Sequence, residues 1–78
     1  MATKIHGELI ASPFLVPSGV SVGIGVSSVN AAAILQADST TKGFLPPRMT
    51  TTQRDAISSP PAGLVIYNTT TSTLQVFT

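Results

Sequence analysis

From Val20 to Val26 the chain alternates strictly, with Val20, Val22, Ile24 and Val26 separated by Ser21, Gly23 and Gly25. Period two predicts a strand with one apolar face. Its other face is almost bare of side chains. Two readings fit the glycines: a strand pressed against the backbone of a neighbouring chain, or a flexible glycine-containing loop. Upstream, short apolar runs (Ile5, Leu9, Ile10, Phe14, Leu15, Val16) are interrupted by Pro13 and Pro17. Proline has no backbone donor and belongs to extended segments and strand edges. This stretch therefore reads as a bent, extended arm whose apolar residues need cover from something larger.

A second phase begins at Asn30. Residues 31–37, AAAILQA, are short and lack a capping acid, which favours a strand centred on Ile34 and Leu35 over a helix. Asp38-Ser39-Thr40-Thr41-Lys42-Gly43 is a turn signal, with Asp and Ser able to bond nearby amides and Gly43 free to take positive φ. FLPPRM (44–49) resumes in extended form, because each proline pushes its predecessor out of helical space. Thr50 and Gln53 have the spacing of a capping box, which predicts a helix over about residues 51–58, closed by Pro60 and Pro61. Met49, Gln53 and Ile57 then share one side of it, whereas Arg54 and Asp55 point apart and need other partners.

The C-terminal end is a hairpin pattern: AGLVIYN and TLQVF are strand-like runs joined by the polar loop TTTS, residues 69–72. The alternation predicts Leu64 and Ile66 on one face together with Leu74 and Val76. Val65, Tyr67, Gln75 and Phe77 fall on the other, which is too apolar to be left wet. Two covered faces imply more protein than one chain supplies.

Composition sharpens that conclusion. A chain of 78 residues buries only about 60% of the surface its unfolded form exposes, so a solitary core is marginal. Small domains usually add disulfides, a metal or partner subunits. Cysteine is absent and His6 is the single histidine, which excludes disulfides and a zinc site built from Cys and His. His6 and Glu8 read as ordinary polar residues. Charged residues make up 9% of the chain, against roughly 25% in ordinary soluble domains. The net charge of +1 supplies no basic stripe for nucleic acid. Residues 9–37 carry no charge, but their prolines, glycines and serines break the roughly 20-residue apolar run that a spanning helix needs.

Catalytic constellations are missing from the pattern. No serine or threonine has an evident base, and Glu8, Asp38 and Asp55 are too scattered for a carboxylate pair. The glycines are not followed by a helix or by Lys-Ser/Thr, as nucleotide-binding loops require. No cofactor is implied. Asn68-Thr69-Thr70 fits the glycosylation triplet, a pattern frequent by chance. Four of the seven charged side chains, Lys42, Arg48, Arg54 and Asp55, cluster instead around Pro46-Pro47, which points to assembly rather than chemistry.

The ordered combination Lys42-Gly43, Phe44-Leu45, Pro47-Arg48-Met49-Thr50, Gln53-Arg54-Asp55-Ala56-Ile57, Gly63-Leu64-Val65-Ile66-Tyr67-Asn68-Thr69 and Leu74-Gln75-Val76 resembles a short module of bacteriophage tail-fibre and other fibre proteins, also met in some bacterial surface proteins. The resemblance covers residues 37–77, about half the chain. It implies a mainly β, intertwined homotrimer, with a fibre and trimerisation module over residues 30–78. The extended arm over residues 1–29 lies outside the match, and its virion-docking role is expected from its composition and from the habit of phage fibres to attach by their N-termini. In such a trimer Leu35, Phe44, Leu45, Met49, Ile57, Leu64, Ile66, Leu74 and Val76 are candidate interface residues. Pro46, Pro47, Arg48, Arg54 and Asp55 are candidates for rigidity and register, and Ile5, Leu9, Ile10, Phe14, Leu15 and Val16 for docking on other virion proteins. The implied function is that of a structural virion protein, the attachment and trimerisation segment of a tail fibre, with neither nucleic acid nor membrane as partner. A capsid-attached fibre or decoration protein fits the same residues; a bacterial adhesin module would further require an export signal and exposed aromatics. Because the last strand runs to Thr78 without a polar tail, the natural polypeptide is expected to continue.

Overall fold

The structure, a computed structural model, describes residues 13–78; the expectations for Ile5, His6, Glu8, Leu9 and Ile10 lie outside the described residues. Short strands dominate, with one short helix: β1 (Val22–Ile24), β2 (Leu35–Ala37), β3 (Arg48–Met49), α1 (Thr51–Asp55), β4 (Val65–Asn68) and β5 (Thr73–Val76). The chain packs as two compact units, one ending at Thr40 and the other spanning Thr41–Thr78.

In the first unit β1 and β2 pair in parallel, Val22 opposite Leu35 and Ile24 opposite Ala37. Parallel partners usually need a crossover of a dozen or more residues. Residues 25–34 manage it with a compact loop held by side chains. Asn30 Oδ1 accepts from Ala32 N at 2.8 Å, Gln36 Oε1 accepts from Asn30 N at 2.7 Å, and Ala33 N donates to Asn30 O at 3.0 Å. Ala31–Ala33 therefore belong to a turn, and the predicted strand begins only at Leu35. The close approach foreseen for the glycines is real, but its partner is the same chain. Gly25 has φ +75°, and a Cβ there would fall on the Asp38 carbonyl oxygen; a Cβ on Gly23 would press on Val26 and Val29. Gly43, in contrast, is not at positive φ.

The second unit is a three-stranded sheet in the order β3–β4–β5. β4 and β5 form the expected antiparallel hairpin, with Ile66 opposite Gln75 and Asn68 opposite Thr73. β3, read from the sequence only as an extended segment, adds to β4 in parallel. Tyr67 N donates to Pro47 O at 2.9 Å and Thr69 N to Met49 O at 2.8 Å. Pro47 thus serves the ladder as an acceptor, which costs nothing for its missing donor.

α1 starts where the capping box places it. Thr50 Oγ1 accepts from Gln53 N at 3.2 Å, and Gln53 Oε1 accepts from Thr50 N at 2.9 Å. The helix stops at Asp55 rather than near residue 58. Ala56 N and Ile57 N reach back only three residues, to Gln53 O and Arg54 O, and Ser59 takes φ +48° before Pro60, ending any helical path. Thr51, Arg54 and Ile57 are the half-buried positions of this segment, while Gln53 stays exposed and serves the cap. This replaces the expected side of Met49, Gln53 and Ile57.

Between helix and sheet lies a polar interior. Asn68 is fully buried and uses both ends of its amide. Oδ1 accepts from Thr70 N at 2.9 Å and Thr71 N at 3.2 Å; Nδ2 donates to Thr51 Oγ1 at 3.0 Å and Gln75 Oε1 at 3.2 Å. Gln75 Oε1 also accepts from Arg54 Nη1 at 3.0 Å. Arg54 and Asp55 also meet each other, which their adjacent positions did not suggest: the long guanidinium turns back across the helix end onto Asp55 Oδ1, 2.9 Å from Nη2. Among the described residues Ile66 is the only buried apolar side chain.

Two outcomes follow from this packing. Gly25→Ala meets both a steric clash and a left-handed backbone that costs an alanine about 1–2 kcal/mol. Amide exchange at Asp38, whose N–H bonds Ile24 O, should then quicken by roughly tenfold or more. In the second unit, Gln75→Leu removes one of the two acceptors of Asn68 Nδ2 and the acceptor of Arg54 Nη1, and should lower stability by about 1–3 kcal/mol. Asp55→Asn breaks a solvent-facing pair and should cost about 1 kcal/mol or less. Urea midpoints at one fixed protein concentration test that order.

Candidate assembly surface

Side chains alternate across a strand, and directly paired residues share a side. With Ile66 and Asn68 turned inward, Val65 and Tyr67 face outward. The pairing of Val76 with Val65 and of Leu74 with Tyr67 puts both of those β5 residues on the same outer face. Arg48 joins it from β3 through its pairing with Tyr67, while Met49, opposite Asn68, turns inward. Leu74 is 66% and Val76 55% exposed. The sequence pattern had placed them beside Ile66. A hairpin one residue out of register exchanges the faces, and here the loop decides it. Asn68 Oδ1 ties down Thr70 and Thr71, and Ser72 takes φ +56° just before β5.

The candidate residues divide accordingly. Leu74, Val76, Phe44 and Leu45 in the second unit, and Leu35 in the first, are exposed; Phe44 reaches 78%. Met49, Ile57 and Leu64 are half-buried, and Ile66 packs within its own chain at 2% exposure. Ile24 and Ile34, neither singled out from the sequence as interface residues, are exposed beside Leu35's strand pair. Pro46 is half-buried and Pro47 feeds the β3–β4 ladder. Arg54 and Asp55 line an open groove with Gln75, Val76, Phe77 and Thr78. Phe14 and Leu15 lie almost wholly in solvent, and Val16 is partly covered.

The residue that sequence reasoning missed is Asn68. Its only apparent role was as a glycosylation acceptor, yet its Nδ2 is buried and donates two hydrogen bonds. The available signal was different: Asn followed by Thr-Thr-Thr-Ser at a hairpin, where an Asx side chain can close the turn. No helix among the described residues is long and apolar enough to cross a membrane, and none of their His, Asp or Glu residues cluster as a metal site.

No curated protein and no solved structure matches the chain. The family model of the phage tail-like trimerisation region matches residues 23–78, from β1 through the hairpin. That span takes in the parallel pair, the capped helix, the buried amide and the apolar outer face. The chain belongs to the family of phage tail-like trimerisation regions.

Proposed function

We propose that this chain is the attachment and trimerisation segment of a bacteriophage tail fibre, a structural part of the virion. The observation that carries the reading is the outward apolar face of Val65, Tyr67, Leu74 and Val76 on a sheet that buries one isoleucine of its own. Three copies related by a closed threefold axis present the same strip to one another. Covering Phe44, Leu45, Val65, Leu74 and Val76 contributes on the order of 10 kcal/mol per chain, at about 1.5–3 kcal/mol each. That exceeds anything one buried side chain supplies.

Arg54 completes the proposed surface. Its guanidinium has five N–H donors, three of which are engaged with Asp55 and Gln75. The others, at the groove beside Val76 and Thr78, suit carbonyl or carboxylate oxygens of a neighbouring copy and would fix the register between chains. Pro46 and Pro47 hold the entry to β3 at little entropic cost. The apolar residues upstream of β1, Phe14, Leu15 and Val16 with Ile5, Leu9 and Ile10, are proposed to dock on another virion protein. The exposure of Phe14 and Leu15 supports this.

Light scattering at micromolar concentration should give three times the chain mass, and Leu74→Glu should give the monomer mass. A monomeric parent, or a Leu74→Glu variant that stays trimeric, would refute the proposed interface. Deleting residues 1–19 should leave the trimer intact while abolishing incorporation into particles, read by immunoblotting of purified virions. Normal incorporation would remove the docking role.

A further inference from the structure

We infer that Asn68 is a positioning residue that sets the register of β5 and thereby selects which face of the sheet is offered to other copies. The inference deepens the trimer reading and rests on it. Hydrophobic patterning alone does not choose the register of this hairpin. Leu74 and Val76 alternate with Gln75 and Phe77, so either set can face the helix. A slip by one residue would turn Leu74 and Val76 inward, against Ile66, and put Gln75 and the half-buried Phe77 in water. The observed register does the opposite.

The contacts that separate the two arrangements converge on Asn68. Its Nδ2 bonds Gln75 Oε1 only because Gln75 is on the inner face, diagonal to it across the hairpin. A slip by one residue turns Gln75 outward and sets an aliphatic side chain against a fully buried amide. An unpaired buried amide is costly, so the slipped hairpin is penalised. From its other end the same side chain holds the loop. Oδ1 binds Thr70 N and Thr71 N, which fixes how many residues lie between the strands. A third segment follows the same anchor, since Thr51 Oγ1 at the start of α1 accepts from Nδ2. Asn68 and Gln75 are thus committed inside, and Leu74 and Val76 are left for partners.

The chain has no cysteine, so introduced pairs report register without interference. Val65→Cys with Val76→Cys joins directly paired positions and reports the observed register. Val65→Cys with Phe77→Cys, and Tyr67→Cys with Thr73→Cys, report a slip by one residue in either sense. With Asn68 in place, only the first pair should form an intrachain disulfide, read by mass spectrometry. With Asn68→Val the slip pairs should cross-link and the cysteine-free variant should lose its trimer. Asn68→Asp keeps the acceptor oxygens for Thr70 and Thr71 but loses the Nδ2 donors, and should give both registers side by side. A slip cross-link in either variant bears the inference out; its absence from both overturns it, leaving Asn68 a contributor to stability alone. Because the disulfides read the hairpin itself, they report on Asn68 whether or not the parent chain proves trimeric.

Discussion

One side-chain amide organises the second unit. Asn68 lies where the hairpin loop, the first turn of α1, β4 and β5 meet, and it bonds to all of them. A buried amide is tolerable only when every donor and acceptor is matched, and among the described residues no buried side-chain polar atom lacks a partner. The consequence is an inverted cross-section. Where a small domain would keep its leucines and valines, this unit keeps an amide, a second amide and the head of an arginine. Ile66 stays buried among them, while Phe44, Leu45, Leu74 and Val76 are left at the surface.

The remaining elements stiffen that platform rather than enlarge its core. A helix of five residues has almost no stability alone, because nucleation costs more than a single turn returns. α1 persists because its free donors are claimed: Gln53 N by Thr50 and Thr51 N by Thr70 Oγ1 at 3.1 Å. Thr51 and Thr70 are therefore the ligatures between helix and loop. Pro47 stands just before β3 and enters the ladder only as an acceptor, from Tyr67 N, so its missing N–H leaves no donor unpaired. The first unit uses the same economy. Asn30 and Gln36 side chains close a loop too short for a packed crossover, and Gly25 gives up its side chain so that Asp38 can approach.

What the sequence made legible follows from how local each signal is. The capping box and the hairpin are written within a few residues of where they act, and the mainly β fold with one short helix could be read from them. The helix stop could not, since α1 ends at Asp55, ahead of Pro60 and Pro61. β3 could not, because its two residues pair in parallel with a strand far along the chain and carry no periodicity of their own. The register of β5 was misread for a physical reason: both faces of the hairpin are apolar enough to be buried, so alternation fixes the two sets but not their directions. Asn68 breaks that tie through bonds to residues on three other segments, which no local pattern displays. Ser59 and Ser72 at positive φ were equally invisible, since serine has no strong claim on that conformation.

Directing apolar residues outward carries the danger of indefinite association, and the sequence has few charges with which to resist it. Closed symmetry removes that danger only if copies meet in one way. Arg48 bears on this directly. It stands on the edge strand and on the same face as Tyr67, Leu74 and Val76, so any packing of that face must leave its guanidinium in water or give it an acceptor. A cation at the border of an apolar strip is a common guard against edge-to-edge growth. It costs little in the correct assembly and several kcal/mol wherever a wrong one would bury it unpaired. On the proposed trimer reading, the amide inside decides which face is offered, and the arginine outside would limit how it can be taken.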